Sequence, residues 1–400
     1  MSDHSLPLAG LRVIELSTVL MAPYCSQLLA DWGADVIKIE SPGGDNIRRV
    51  NERDGNAMGP MFVTANRGKR SIVIDLKDPR GLDLLHGIVK DADVFIHNIR
   101  PPAARRLGVD GPSLLRVNPS LIHCAFRGYG AGGPYEDRPA YDDVIQAASG
   151  VAASQGVGGA EPSYIRTVVA DKVVGLYGAA AVCAAVAGRT PGGQGRIIEV
   201  PMFEGMASFM LLDRQGGWVG NPPLGPTGYN RADSVHRRPF RTSDGYLSVM
   251  VYTDRHWAAF FDLIGRPELK QDPRFGNLSG RTRHVDELYS MVAEELAKRP
   301  NAEWLDLLGK ADIPHGPVNA IEDLFTDEHL SAVGFFQTLQ QPGLGEVRLA
   351  RSPIDMGIPP QPVRPAPLFG QHTEDVLREA GLTEDEVAKL VADGVVGTGR

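Results

Sequence analysis

LRVIELSTVLMAPYCSQLLADWGADVIKIE, residues 11–40, decides the fold. Leu11–Leu16 is a short β-rich run, Ala22–Trp32 reads as a helix with Gly33 behind it, and Asp35–Glu40 is a second β-rich run. Ser71–Leu76, Asp93–His97 and Leu121–Phe126 continue the series, with helical segments such as Gly81–Ala92 between them. Strands that alternate with helices pair in parallel through crossovers. The spacing therefore predicts an α/β fold whose large domain, residues 1–215, is a doubly wound, Rossmann-like sheet.

Gly216–Gly228 (GGWVGNPPLGPTG) marks a linker or loop. Beyond it the texture changes. A hairpin over Arg241–Val251 and amphipathic helices near His256–Ile264 and His284–Lys298 predict a smaller α+β domain, residues 216–330. Residues 331–400 form a C-terminal segment with a proline-rich stretch, Pro353–Pro367, and a final helix from Leu382 that carries Glu384 and Glu386 early, as the helix dipole prefers. No internal repeat is present.

Composition narrows the function class. The 400 residues carry a net charge of −8 with no lysine/arginine stripe, which argues against a nucleic-acid partner. Cys25, Cys124 and Cys183 have neither C-x-x-C spacing nor an even count, so they read as small buried hydrophobes rather than disulfides or zinc ligands. The opening MSDHSLPLAG lacks a signal pattern, and no uncharged apolar run reaches bilayer length, so the expectation is a cytoplasmic protein without a membrane partner.

Two local features point to chemistry. Gly128–Gly133 fits G-x-G-x-x-G after a strand, but Pro134 and Pro139 stand where a helix should begin, and no acidic strand end follows to hold a ribose. It reads as a glycine loop lining a ligand cleft, not as a nicotinamide-binding turn. The second feature is Asp171, directly before a fifteen-residue run without a charge, Val173–Ala187. That run reads as a helix buried on all faces, stopped at Gly188. Asp171 then caps its first turn, where backbone N–H groups and the dipole hold the carboxylate ionised.

Six stretches, in order, resemble the class III CoA-transferases of the formyl-CoA transferase and carnitine CoA-transferase type, and the likeness covers nearly the whole chain. They are the opening unit from Leu8 to Asp45, Asn66–Ile72 (NRGKRSI), Ala92–Phe95 with Asn98 and Pro101, Gly128-Tyr129-Gly130 with Gly133-Pro134, Pro314–Asn319 (PHGPVN), and Ala366–Thr373 (APLFGQHT). In that family the nucleophile is an aspartate past the G-Y-G-x-x-G-P loop and before an apolar helix, the place of Asp171. The resemblance implies covalent catalysis. The carboxylate would attack the donor thioester, and the reaction would pass through an acyl-aspartyl anhydride and an aspartyl-CoA thioester. Glycine-loop N–H groups would stabilise the oxyanions.

The resemblance also implies acyl-CoA and a small carboxylic acid as substrates, no tightly bound cofactor, no metal, and a homodimer of two interlocked chains. Carried over as coenzyme A contacts are Val19, Leu20, Ile74, Lys77, Asn98 and Arg106, with Tyr141 and Gly130 in the substrate pocket; Arg48, Lys69 and Arg70 are further basic candidates. Leu20 departs from the glutamine of formyl-CoA transferases, which points away from oxalate and toward a more apolar acyl group. Among the sister activities, α-methylacyl-CoA racemases need a histidine where Tyr141 stands, and an unperturbed tyrosine is a poor base at neutral pH. His236 and His315 read as loop and core histidines. Transfer is therefore preferred to racemisation, and a non-catalytic CoA-binding module is the third reading.

Overall fold

The computed structural model describes residues 6–399 apart from 54, 191 and 360. The chain divides into two compact units. One comprises residues up to Ser149, Ile165–Ser208 and the chain from Ser331 on; the other comprises Gly150–Tyr164 and Phe209–Leu330.

The first unit is built on β1 (Arg12–Leu16), β2 (Asp35–Glu40), β3 (Arg70–Ile74), β4 (Val94–His97), β5 (Ile122–Arg127) and β6 (Arg196–Pro201). They run parallel in the order β3-β2-β1-β4-β5-β6. This is the doubly wound order, and the chain reverses its direction of travel between β1 and β4. β6 lay outside the strands predicted from the sequence.

On one face pack α1 (Met21–Asp31) and, further along the chain, a long helix described below. The other face carries α2 (Pro79–Val89), α3 (Pro101–Leu107) and α4 (Gly111–Val117), over a core that includes Ile14, Ile37, Ile72 and Phe95. Continuous apolar strands are what two covered faces require.

Charges also enter this interior. Lys38 on β2 reaches Glu15 at 2.9 Å and Asp45 at 3.0 Å, and Lys69 reaches the other Glu15 oxygen at 2.8 Å, all fully buried. Burial pushes the Glu15 carboxyl up, but Lys38 and Lys69 more than offset it and hold the group well below its ordinary range. A buried charge persists only when so paired.

Next in this unit come α5 (Asp142–Ala148), the long helix α6 (Val169–Ala187) and the start of α7 (Met202–Arg214). The second unit contains an antiparallel sheet of β7 (Phe240–Arg241), β8 (Tyr246–Val249) and β9 (His315–Pro317). Three helices, α8 (Asp254–Leu263), α9 (Val285–Leu296) and α10 (Asn301–Lys310), close a core around Trp257, Phe260, Phe261 and Trp304. The expected hairpin is thus joined by a third strand from the PHGPVN stretch. His315 stands in that strand with Nδ1 2.7 Å from Ile313 O, and His236 Nε2 is 3.4 Å from Ser290 Oγ.

After Ser331 the chain forms a hairpin, β10 (Phe336–Gln341) and β11 (Gly345–Ala350). It ends with α11 (Thr373–Glu379), α12 (Glu384–Ala392) and β12 (Val396–Gly397), which pairs antiparallel with β3. Thr383 and Glu386 form a reciprocal capping box on α12. Val376, Leu377, Val387 and Val396 complete the sheet's core, so the tail belongs to the first unit.

Candidate active site

In a doubly wound sheet the ligand crevice opens at the carboxyl ends of the two strands where the chain reverses. Here those ends are Leu16 of β1 and His97 of β4, and the segments beyond them are tied together. Thr18 N–H donates to Asn98 Oδ1 at 3.2 Å, and Asn98 Nδ2 donates to Thr18 O at 2.8 Å. Val19 follows with φ +70°, a conformation that costs a β-branched residue roughly 1–3 kcal/mol. Its N–H donates to Asp45 Oδ1 at 3.2 Å, so the buried Lys38–Asp45 pair anchors the strained turn.

Asp171 reaches this crevice through α6. Asp171, Gly175 and Gly178 are spaced i, i+4, i+7 and share one helix face. A Cβ on Gly175 would stand 2.8 Å from Met21 O, and one on Gly178 would stand 2.1 Å from the Phe126 ring. Only glycine permits α6 to approach α1 and β5 this closely. The result is a cleft of about 320 Å³ that Asp171 shares with Val19, Leu20, Asn98, Arg100 and Tyr141.

Two expectations about α6 are corrected. It is not buried on all faces: Val174, Gly178 and Val182 are covered, whereas Leu176 is 50% and Tyr177 42% exposed. The helix spans 19 residues at mean hydropathy 1.6, long and apolar enough to cross a bilayer by those criteria alone. The glycine-mediated packing on α1 and β5 instead makes it an element of the fold.

Nor is Asp171 the cap. It is the third residue of α6, and its own N–H donates to Asp142 Oδ1 at 3.1 Å. Gln146 Nε2 holds the other Asp142 oxygen at 2.6 Å, and Gln146 Oε1 accepts from Ile165 N–H at 2.9 Å. Burial, together with the Asp142 charge, pushes the Asp171 carboxyl up to about 7. The site therefore disfavours the ionised form that the cap reading expected it to favour.

Val19, Leu20, Asn98 and Tyr141 join Asp171 in the cleft, Tyr141 with 71% of its surface exposed. Gly130 does not line it: its N–H donates to Glu204 Oε1 at 2.9 Å, and Gly132 N–H donates to Glu136 Oε2 at 3.0 Å. Those two loop donors, expected to serve an oxyanion, are thus committed to carboxylates.

Ile74 is buried in the core at the end of β3, Lys77 is exposed in the turn beyond it, and Arg106 is exposed on α3. The other basic candidates are held by internal partners. Arg48 is fully engaged with Glu40 (2.7 Å) and lies over the Phe62 ring, Lys69 pairs with Glu15, and Arg70 pairs with Asp35 and Glu379.

The sequence reading missed three cleft arginines and the role of Asp142. Arg127 is paired with Glu199 at 2.8 Å, Arg138 stacks 4.0 Å over Tyr135, and Arg100 is exposed at the mouth. Arg100 stands between Asn98 and Pro101 of a quoted stretch, and Asp142 directly follows Tyr141. Neighbours of recognised positions were the available signal. Among the described residues no cluster of three or more His, Cys, Asp or Glu side chains could hold a metal ion.

Comparison with known proteins decides the family. Residues 8–373 match CoA-transferase family III. The chain belongs to this family. It is 34% identical to a succinate–glutarate CoA-transferase of Agrobacterium fabrum, over 95% of this chain and 97% of that protein. It is 31% identical to the beta subunit of a succinyl-CoA–L-malate CoA-transferase of Chloroflexus aurantiacus, over 98% of each. A crystal structure of a CAIB/BAIF family protein from Brucella suis superposes with a TM-score of 0.77 at 30% identity, covering 94% of this chain and all of that one. A family III member at this identity over its full length is a CoA-transferase, with a CoA thioester as substrate.

Proposed function

We propose that this transferase moves coenzyme A from an acyl-CoA to a free dicarboxylic acid, with Asp171 as the covalent nucleophile. One observation carries the reading. Asp171 is a half-buried carboxylate at the strand-reversal crevice, and among the described residues no ion pair or hydrogen bond holds its oxygens. Desolvation, which raises its pKa, also leaves the ionised form a stronger nucleophile.

In the proposed course an Asp171 oxygen attacks the thioester carbonyl carbon. A C–O bond forms, the C–S bond breaks and CoA thiolate leaves. The thiolate then attacks the Asp171 carbonyl carbon of the anhydride, forming a C–S bond and releasing the donor acid as its carboxylate. The acceptor carboxylate repeats the sequence in reverse.

Parallel strands place all their carboxyl ends on one edge of the sheet. Coenzyme A would run along that edge from Asp171, past Val19, Leu20 and Asn98, toward Lys77 beyond β3, with Arg106 of α3 beside its phosphates. Ile74 would mark the strand end there.

Arg100 and Arg138 turn the acceptor toward a dicarboxylate, since two guanidinium groups without a carboxylate partner among the described residues suit a second acid group. This agrees with the named substrates of the relatives, succinate, glutarate and malate. It replaces the apolar acyl group that Leu20 and Met21 suggested. Among the described residues no histidine lines the cleft, so racemisation lacks a second proton carrier there. The exposed apolar face of α6 supports the homodimer.

Incubation with succinyl-CoA followed by intact mass should show a CoA-thioester adduct that maps to Asp171 and is absent from Asp171→Ala. Full transfer activity in that variant would refute the mechanism.

A further inference from the structure

On the sheet face opposite α6 lies a second cavity of about 320 Å³. Strand register builds its floor. Phe95 pairs with His123 and His97 with Ala125, while His123 faces Ile197 on β6. Alternate residues share a face, so His97, His123, Arg127 and Ile197 point the same way. Ala104 of α3 and Ile99 add apolar walls.

Two of these lining side chains end in a buried nitrogen that no atom of the described residues satisfies, His97 Nε2 and His123 Nδ1, while Arg127 is paired with Glu199 at 2.8 Å and with Glu136 at 3.6 Å. Native interiors rarely leave such groups alone. Their chemistry is set by the partners of the other ring nitrogens. Ile99 N–H donates to His97 Nδ1 at 3.1 Å, so the ring proton of His97 is on Nε2. His123 Nε2 stands 3.0 Å from Val109 O and must donate to it, so Nδ1 is bare. Burial keeps both rings neutral, with His97 lowered to about 3. The ring centroids are 4.9 Å apart. The floor thus presents one donor and one acceptor beside the paired Arg127.

We propose that this cavity binds one uncharged hydroxyl group, carried by a small alcohol or by water, which accepts from His97 Nε2–H and donates to His123 Nδ1. A carboxylate could accept from His97 Nε2–H but would meet the bare nitrogen lone pair of His123. A transition metal would need a lone pair on His97 Nε2, which Ile99 N–H denies. A liquid water occupies about 30 Å³, so the cavity also has room for the carbon skeleton of an alcohol.

The test uses the full-length protein, ¹⁵N-labelled at histidine, at pH 7. Both rings should be neutral with the proton on Nε2, and propane-1,2-diol should shift His123 Nδ1 saturably. A silent diol titration with a water cross-peak at His97 Nε2–H assigns the hydroxyl to water, within the proposal. In His123→Phe, which keeps a ring beside Phe95, the response at His97 should be lost while unchanged signals from His86 and His372, both in the same unit, report an intact fold. A Nδ1 proton on His97, a doubly protonated ring, loss of the His97 Nε2 proton on adding Zn²⁺, or neither diol nor water signal would overturn it.

Discussion

At the scale of single residues, the chemistry rests on which charges are already engaged. Arg48, Lys69 and Arg70 look like phosphate ligands in the sequence, yet each is bound to a carboxylate within the fold. Arg100 is not. Arg100→Ala should raise the KM for a dicarboxylate acceptor about tenfold, the loss of one charge-assisted bond, while a monocarboxylate of equal length is unaffected in steady-state kinetics.

Asp171 sets the pH response. The attacking form is the carboxylate and its pKa is pushed up to about 7, so the transfer rate should rise with pH through that value. Asp142 contributes to the upward push, so Asp142→Asn should move the midpoint of the pH–rate profile down toward the ordinary aspartate range. An unchanged midpoint would mean that Asp142 acts only as the cap of α6.

At the scale of elements, α6 shows how a sequence feature can be seen and misread. Its apolar run and its stop at Gly188 follow from composition, whereas its start at Val169 does not. Its seating does not, because Gly175 and Gly178 look like weak points until the Met21 carbonyl and the Phe126 ring are placed against them. Gly178→Ala should destabilise the protein by about 1–3 kcal/mol in denaturant unfolding, as overpacking does. The same change should lower kcat more than it raises KM, since it displaces the helix that carries Asp171. The strand series β1 to β5 was legible because each short apolar run lies between helical ones. β6, with Arg196 and Glu199 among its six residues, and the two-residue β12 carry too weak a local pattern.

At the scale of the whole molecule, the exposed side of α6 is the feature a lone chain leaves unexplained. Leu176 and Tyr177 stand exposed on its apolar surface. Sedimentation should find a species of twice 43.1 kDa, and Leu176→Lys should shift it toward monomer. A monomer at micromolar concentration would rule out the homodimer. The sequence by itself determined the parallel α/β plan, the place of Asp171 at the start of its long apolar helix, and the family, because these are written in short-range periodicity and ordered motifs. Only the tertiary structure decided that Asp142 caps the helix, that Asp171 resists ionisation, and which cations stay free. Each of those depends on partners far apart along the chain, such as Asp171 with Asp142 at 29 residues or Arg70 with Glu379 at 309. Distance, burial and charge between such residues exist only once the chain has folded.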